Sequence, residues 1–356
     1  MMKTSPAVFA VGREYQIMAP VTGNSLFWVE IDGESFYDEQ NGIMRSICST
    51  HRVKVPMEVL DSAGEYTVCE REIIDRKPYF PETKETVKTA YKFYPVPHEN
   101  ARAYHIADTH SQIAIPVEAA DLFGKIDLLI MNGDIPDHSG EIENYDTIYK
   151  IADVLTGGRI PIVFARGNHD MRGYFAELMA EHTPNLNGNT YYTFRLGSIW
   201  GLVLDCGEDK DDSNAEYGFT VSCHKFRMRQ TEFIKEVISN KKAEYKAKGV
   251  KHRIIVCHNP FTYIQEPPFD IEKEIYGEWA KLIKDNIKPE LMICGHVHKL
   301  FVSKPGDKWD SLGQPCTVIS GSDIREDYHA GCGIVFSNPP KAKFLESNGN
   351  VTEIQL

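Results

Sequence analysis

The stretch IDLLIMNGDIPD, residues 126–137, decides the fold of the chain. Its centre, Leu128–Met131, is apolar and of strand length, and a Gly-Asp turn with a second aspartate follows it. A strand that is apolar throughout is buried on both faces, as in the parallel sheet of a layered α/β protein. Polar residues that directly follow such a strand lie at the edge of the sheet where α/β proteins bind their ligands.

The same arrangement recurs along the chain. Further predicted strands are Tyr104–Ala107, Ile160–Ala165, His252–Cys257 and Leu291–Cys294. The polar clusters that follow them are Asp108-Thr109-His110, Gly167-Asn168-His169-Asp170, His258-Asn259 and Gly295-His296-Val297-His298. Helix-like segments alternate with the strands at Ile142–Leu155, Gly173–Glu181, Phe226–Lys246 and Ile271–Lys284. This alternation predicts a layered α/β domain with its site at the strand ends.

The first 98 residues have a different pattern. Short runs rich in Val, Tyr, Phe and Thr, such as Ser25–Ile31, are separated by turn-forming residues and show no helical period. This pattern predicts a small antiparallel β-sandwich. Because Pro95 and Pro97 mark a linker, we expect a sandwich domain over residues 1–98 and the α/β domain over residues 99–356.

Composition and charge narrow the class of protein. The chain has 356 residues, of which 42% are hydrophobic and 25% charged, as in globular proteins. The formal charge of −12 argues against a protein that binds nucleic acid through its phosphates. No apolar run has the length of a membrane anchor, and Ala7–Val11 is too brief for a signal-peptide core, which predicts a cytoplasmic protein. The eight cysteines contain no Cys-x-x-Cys pair, and a Cys48–Cys69 disulfide is expected only if the protein is exported.

The polar clusters hold side chains of the kinds that bind metal ions. Two ligands at positions i and i+2 of an extended chain point to the same side, so Asp108 and His110 can converge on one centre. Mixed His, carboxylate and amide ligands suit Zn, Mn and Fe. One ion needs about four protein ligands, whereas seven follow the strands here, so we expect two ions about 3.5–4 Å apart with one bridging ligand. The candidate ligands are Asp108, His110, Asp134, Asn168, His258, His296 and His298.

Five motifs carry these residues, in the order D-x-H, GD-x-x-D, GNH-[DE], a single His and GH-x-H. With these motifs over residues 104–336, the chain resembles the calcineurin-like metallophosphoesterase superfamily. The resemblance implies an αββα catalytic domain that hydrolyses a phosphate ester. In such a domain a hydroxide bridging two di- or trivalent ions (Mn, Fe or Zn) attacks the phosphorus in line. The ligand sets that it implies are Asp108, His110 and His298 for the first ion, Asn168, His258 and His296 for the second, and Asp134 as the bridge.

The resemblance also implies residues that act on the substrate. His169 would lie beside the phosphate and protonate the leaving oxygen as general acid. Asp137 would orient the imidazole of His169, with Asp170 as the alternative candidate, and an ordinary turn cap is the alternative role of Asp137. Arg166 precedes the GNHD motif and could reach a phosphate oxygen.

Two departures from related enzymes are informative. Purple acid phosphatases have a tyrosine at the position of Asp137 and a glycine at the position of His110, so no iron–tyrosinate chromophore is expected. Protein serine/threonine phosphatases have Arg and Glu where this chain has His138 and Asp170, which argues against a protein phosphatase. The N-terminal segment is nevertheless similar to the fibronectin-III-like sandwich that precedes the catalytic domain of purple-acid-type enzymes.

These observations predict a phosphomonoesterase that acts on a small-molecule ester. A phosphodiesterase acting on a nucleotide or lipid-type diester stays open, because residues 139–145, 207–223 and 260–270 have no signature that separates the two. A metal-binding scaffold without turnover is a further alternative, although the presence of His169 argues against it. Adhesion through the sandwich domain is the last alternative.

Overall fold

The computed structural model describes all 356 residues. The N-terminal part forms the strands β1 (Ala7–Val11), β2 (Glu14–Pro20), β3 (Ser25–Ile31), β4 (Glu34–Tyr37), β5 (Glu39–Gln40), β6 (Ile43–Met44), β7 (Thr50–Pro56), β8 (Glu65–Asp75), β9 (Glu82–Thr83) and β10 (Val87–Lys92), with the helix α1 (Met57–Ala63). None of the helices in the chain is both long and apolar enough to cross a membrane.

The rest of the chain alternates strands and helices. Its strands are β11 (Ala101–Ile106), β12 (Leu128–Asn132), β13 (Ile162–Ala165), β14 (Tyr192–Leu196), β15 (Ile199–Leu204), β16 (His252–Cys257), β17 (Leu291–Cys294), β18 (Phe301–Ser303), β19 (Thr317–Ser320), β20 (Asp323–Arg325), β21 (Tyr328–Phe336), β22 (Lys341–Glu346) and β23 (Val351–Ile354). Its helices are α2 (Ala114–Asp121), α3 (Asp146–Thr156), α4 (Met179–His182), α5 (Cys223–Ser239) and α6 (Lys273–Leu282).

Two sheets face each other at the centre of the molecule. The first sheet has the strand order β23-β22-β21-β11-β12-β13-β1-β2-β7, and β20 pairs with β21 beside this path. The second sheet has the strand order β14-β15-β16-β17-β19-β18. The facing sides share one apolar core, to which Ile130, Val163 and Val256 contribute. Helix α3 covers the outer side of the first sheet with Tyr149, and helix α6 covers the outer side of the second with Trp279. The predicted αββα layering is confirmed.

The N-terminal part forms an antiparallel sandwich, as predicted. Strands β10, β8, β3 and β4 make one sheet in that order, and it packs on β2 and β7 through a core that includes Phe27 and Val55. The other layer of the sandwich is part of the large sheet, because β1 pairs in parallel with β13 and places Phe9 opposite Ile162. The predicted division at residue 98 therefore separates two parts of the chain but not two sheets, and independent folding of either part stays a prediction.

The differences from the predicted elements lie mostly outside the core strands. The segment Gly173–Glu181 forms only a short 3-10 turn and helix α4, and α5 ends at Ser239 instead of Lys246. Helix α2 was not predicted; its Pro116 lies in the first turn, where the missing N–H removes no helical hydrogen bond. All eight cysteines are free thiols, so Cys48 forms no disulfide.

Candidate metal centre

The seven predicted ligands lie at one edge of the two central sheets. They follow β11, β12 and β13 in the first sheet and β16 and β17 in the second. Strands β11, β12 and β13 run parallel to one another, and so do β16 and β17, so within each sheet their carboxyl ends meet at the same edge. The structure therefore brings together side chains from distant parts of the chain.

Five of the seven ligands have a left-handed backbone. Their φ angles are 52° for Asp108, 43° for His110, 52° for Asp134, 68° for His296 and 48° for His298. The expectation that the i and i+2 pairs converge because the chain is extended was therefore wrong; they converge on tight left-handed loops. A non-glycine residue held in such a conformation costs about 1–3 kcal/mol, and strain of this kind clusters at functional sites.

One group of ligand atoms is formed by Asp108, His110 and His298. The Nε2 atom of His298 lies 3.2 Å from Oδ1 of Asp108 and 3.3 Å from Nε2 of His110. Two imidazole nitrogens that face each other at this distance need a proton or a cation between them. The group suits a metal ion because its donors are two nitrogens and one carboxylate oxygen.

The second group is formed by Asp134, His258 and His296, with Asn168 beside them. The Nε2 atom of His258 lies 3.1 Å from Oδ2 of Asp134, and Oδ1 of Asn168 lies 2.9 Å from Nδ1 of His296. The same His258 nitrogen is 3.6 Å from Oδ1 of Asp108, so the two groups adjoin each other. Asp134 therefore lies in the second group, beside the histidine that adjoins both groups.

The charges of the buried ligands favour a cation. Burial acts to raise the pKa of Asp108, but the charge of His258 and the hydrogen bond from His298 outweigh it and hold the pKa below its usual range. Burial also acts to raise the pKa of Asp134, and His258 again brings it below the usual range. Conversely, burial acts to lower the pKa of His258, whereas the Asp134 and Asp108 carboxylates raise it to about 10. The two buried carboxylates thus favour a positive charge beside them, and such a place suits a metal ion.

The orientation of His258 supports metal binding. Its Nδ1 atom donates a hydrogen bond of 2.6 Å to the backbone carbonyl of Asn132. This bond leaves Nε2 free of a proton for a ligand when the imidazole is neutral, and that buried atom has no hydrogen-bond partner. Metal-binding histidines characteristically donate their other N–H in this way. Asn132 was not predicted as a supporting residue, because its contribution comes from its backbone.

Glycines allow the ligand loops to approach each other closely. A Cβ atom on Gly133 would lie 2.5 Å from the backbone nitrogen of Gly167, and one on Gly167 would lie 2.5 Å from the backbone nitrogen of Asp134. Both distances are far below an ordinary contact, so the second and third motifs can meet only if both positions are glycine.

His169 lies at the open side of the ligand cluster. Its backbone nitrogen donates to Oδ1 of Asp134 over 2.8 Å, and its Nδ1 donates to the backbone carbonyl of Asp137 over 2.9 Å. The carboxylate of Asp137 is 3.6 Å from this nitrogen but 3.0 Å from Nδ1 of His110. Asp137 therefore orients His169 through its backbone carbonyl, while its carboxylate faces His110.

Asp170, the alternative candidate for orienting His169, has other partners. Its Oδ2 accepts hydrogen bonds from the backbone nitrogens of Gly167, over 2.7 Å, and of Asp134, over 3.2 Å. The carboxylate therefore ties the second motif to the third and does not contact the imidazole of His169.

The two arginines near the GNHD motif have different surroundings. Arg166, which was predicted to reach the phosphate, has its Nε 2.6 Å from Oδ2 of the buried Asp205 and its guanidinium over the ring of Phe226. Arg172, which the sequence analysis did not consider, has its Nη1 3.0 Å from Nε2 of His169. The contacts therefore favour Arg172, and not Arg166, as the arginine beside the site.

The comparison with known families agrees with this arrangement. The sequence profile of the calcineurin-like phosphoesterases matches residues 101–300. The chain belongs to the calcineurin-like phosphoesterase family. Members of this family are phosphoester hydrolases, and the donor set described above fits the di- or trivalent metal ions on which such hydrolysis depends. The comparison with curated proteins gives no match.

Two solved structures extend the likeness of this calcineurin-like phosphoesterase beyond the matched residues. A purple acid phosphatase from yellow lupin (Lupinus luteus) seeds is 14% identical, with a TM-score of 0.61 over 99% of this chain and 74% of that one. PhoD is 11% identical, with a TM-score of 0.54 over 100% of this chain and 93% of that one. At these identities the likeness concerns the fold, and it includes the N-terminal strands.

Proposed function

We propose that the protein is a phosphomonoesterase with a dinuclear metal centre. The observation that carries the proposal is the convergence of seven ligand side chains in two adjoining groups, with His169 at their open side. The proposed ligands of the first ion are Asp108, His110 and His298, those of the second are Asn168, His258 and His296, and Asp134 is shared. Two ions of Mn, Fe or Zn, when bound, supply Lewis-acid stabilisation of the phosphate charge and lower the pKa of water.

His169 is the proposed general acid. Because Nδ1 donates to the carbonyl of Asp137, Nε2 is the atom that faces a bound substrate. A proton on Nε2 passes to the ester oxygen as the bond between phosphorus and that oxygen breaks, and the alcohol leaves uncharged. The bond to Asp137 keeps the ring oriented for this transfer, so Asp137 is a positioning residue.

A small-molecule monoester is the proposed substrate class. A monoester dianion presents three non-bridging oxygens and a diester only two, so the monoester gains more from an additional cationic group. The guanidinium of Arg172 beside His169 is such a group. A diester of the nucleotide or lipid type is the competing substrate, and a scaffold without turnover is the competing class.

The test is an activity screen on protein reconstituted with defined metals. The purified chain is stripped with a chelator, reloaded with Mn, Zn, Fe or Co, and assayed with p-nitrophenyl phosphate and bis-p-nitrophenyl phosphate. We expect metal-dependent turnover that is faster for the monoester, and loss of both metal and turnover in Asp134→Ala. Faster turnover of the diester would indicate a phosphodiesterase instead. Two bound metals without turnover of either ester would indicate a metal-binding scaffold.

A further inference from the structure

Arg172 is held in one position by a buried carboxylate. Its Nε and Nη2 atoms donate to Oε1 and Oε2 of Glu208, each over 2.9 Å. The Glu208 side chain is only 1% exposed, whereas that of Arg172 is 27% exposed. A bidentate pair of this kind fixes the plane of a guanidinium as well as its place.

The same pairing leaves one nitrogen of Arg172 free of carboxylate contacts. That nitrogen, Nη1, lies 3.0 Å from Nε2 of His169. Since Nδ1 of His169 donates to the carbonyl of Asp137, the Nε2 lone pair accepts the hydrogen bond from Arg172. A phosphate that contacts His169 is therefore also within reach of the N–H groups on Nη1.

Glu208 is itself fixed by a second arginine. Its backbone carbonyl accepts a hydrogen bond from Nη2 of Arg227, whose side chain is 1% exposed. Arg227 also donates to the carbonyl of Cys206 over 2.7 Å and to Oε1 of Glu272 over 2.9 Å. Glu208 is thus a buried residue, tied to Arg227 on one side and to Arg172 on the other.

We propose that Arg172 binds a non-bridging oxygen of the substrate phosphate and, held by Glu208, makes the site selective for monoesters over diesters. This proposal rests on the proposed function. In the free protein an N–H group of Nη1 donates to the Nε2 lone pair of His169. In the complex the N–H groups of Nη1 turn to the phosphate, and Nε2 takes up a proton from solvent, which it then donates to the leaving oxygen. A guanidinium already fixed by Glu208 loses little conformational freedom on binding, so its contact with the phosphate contributes fully to affinity.

The test compares Arg172→Gln with the unchanged protein, both reconstituted with the same metal. A hydrogen bond to a charged group is worth about tenfold to a hundredfold in affinity. We expect the Kd of inorganic phosphate, measured by calorimetry, and the KM of p-nitrophenyl phosphate to rise by about that factor. For bis-p-nitrophenyl phosphate we expect kcat/KM to fall by less, so that the preference for the monoester decreases.

Three further variants make the comparison specific. Glu208→Gln keeps the shape of the side chain but weakens the bidentate pair, and we expect a smaller rise in the phosphate Kd in the same direction. Arg166→Gln is measured in parallel because Arg166 was the arginine predicted from the sequence for the same role. Lys150→Gln removes an exposed positive charge from α3 and controls for the change in net charge.

The outcomes separate this inference from the proposed function. An unchanged phosphate Kd and an unchanged ester preference in Arg172→Gln would overturn the inference, and so would a larger effect in Arg166→Gln. If neither ester is turned over by the unchanged protein but phosphate binding still weakens in Arg172→Gln, the anion site stands and the proposed hydrolysis fails. Thermal unfolding of each variant shows whether a loss of affinity comes from loss of the fold.

Discussion

Replacement of Gly167 by alanine should disrupt the metal centre without removing any ligand. The added Cβ would lie 2.5 Å from the backbone nitrogen of Asp134 and closer still to its Oδ1. Since carbon and nitrogen atoms in ordinary contact are about 3.4–4 Å apart, one of the two loops must move by roughly 1 Å. Overpacking of this kind costs about 1–3 kcal/mol, and functional constellations tolerate only about 0.5 Å of displacement.

Two measurements follow from these magnitudes. Urea denaturation of the metal-free variant should show a fall of about 1–3 kcal/mol in the free energy of unfolding. Metal titration of the folded variant should show an affinity at least about tenfold lower, because Asp134 and Asn168 no longer hold their relative positions.

The chain offers a matched control for the same substitution. Gly277 lies inside α6, and a Cβ atom there would have no neighbour within 4 Å. Gly277→Ala should therefore raise the free energy of unfolding by about 0.5–1 kcal/mol and leave metal affinity unchanged. If Gly167→Ala bound metal and unfolded like the unchanged protein, the two loops would not be in the contact described here.

Three other predictions concern the general acid, a buried histidine and the N-terminal strands. His169→Ala should keep both metals in elemental analysis and lower kcat by about two to four decades, whereas full activity would remove His169 from the mechanism. Burial lowers the pKa of His105 to about 3, so below pH 6.5 the unfolded chain takes up a proton that the folded chain does not. The free energy of unfolding of the metal-free protein should therefore fall with decreasing pH. Between pH 6 and 4.5 this fall should be less steep in His105→Leu than in the unchanged protein, by roughly 1 kcal/mol per pH unit. Residues 99–356 expressed alone should be less stable to urea than the whole chain. Equal stability would show that the α/β part does not depend on the N-terminal strands of the shared sheet.

The ligands could be predicted from the sequence because each follows an apolar strand of recognisable length. Such strands are buried in a parallel arrangement, and parallel strands put their following loops at one edge. The backbone of these loops could not be predicted in the same way. The left-handed conformations of Asp108 and His296 are stabilised by contacts between loops, such as the hydrogen bond of 3.0 Å from the backbone nitrogen of His296 to Asp108.

The choice between Arg166 and Arg172 shows why the direction of a side chain could not be predicted from the sequence. Both arginines flank the GNHD motif, and nothing in their spacing decides which one faces the site. The direction of each side chain follows from the buried carboxylate with which it pairs: Arg166 pairs with Asp205, and Arg172 pairs with Glu208. Both carboxylates come after β15, in the part of the chain where no motif was recognised.

The pairing of β1 gives the N-terminal part a role in the site. Strand β1 lies between β13 and β2, and β13 is the strand that carries Asn168 and His169 on the loop after it. The ring of Phe9 packs edge-on against Phe164 of β13 at 6.2 Å and against Tyr149 of α3 at 6.3 Å. Without β1, β13 would become an exposed edge strand with an uncovered apolar side. The N-terminal strands therefore cover the strand that precedes the loop with a proposed ligand and the proposed general acid, and we expect their removal to disturb that loop.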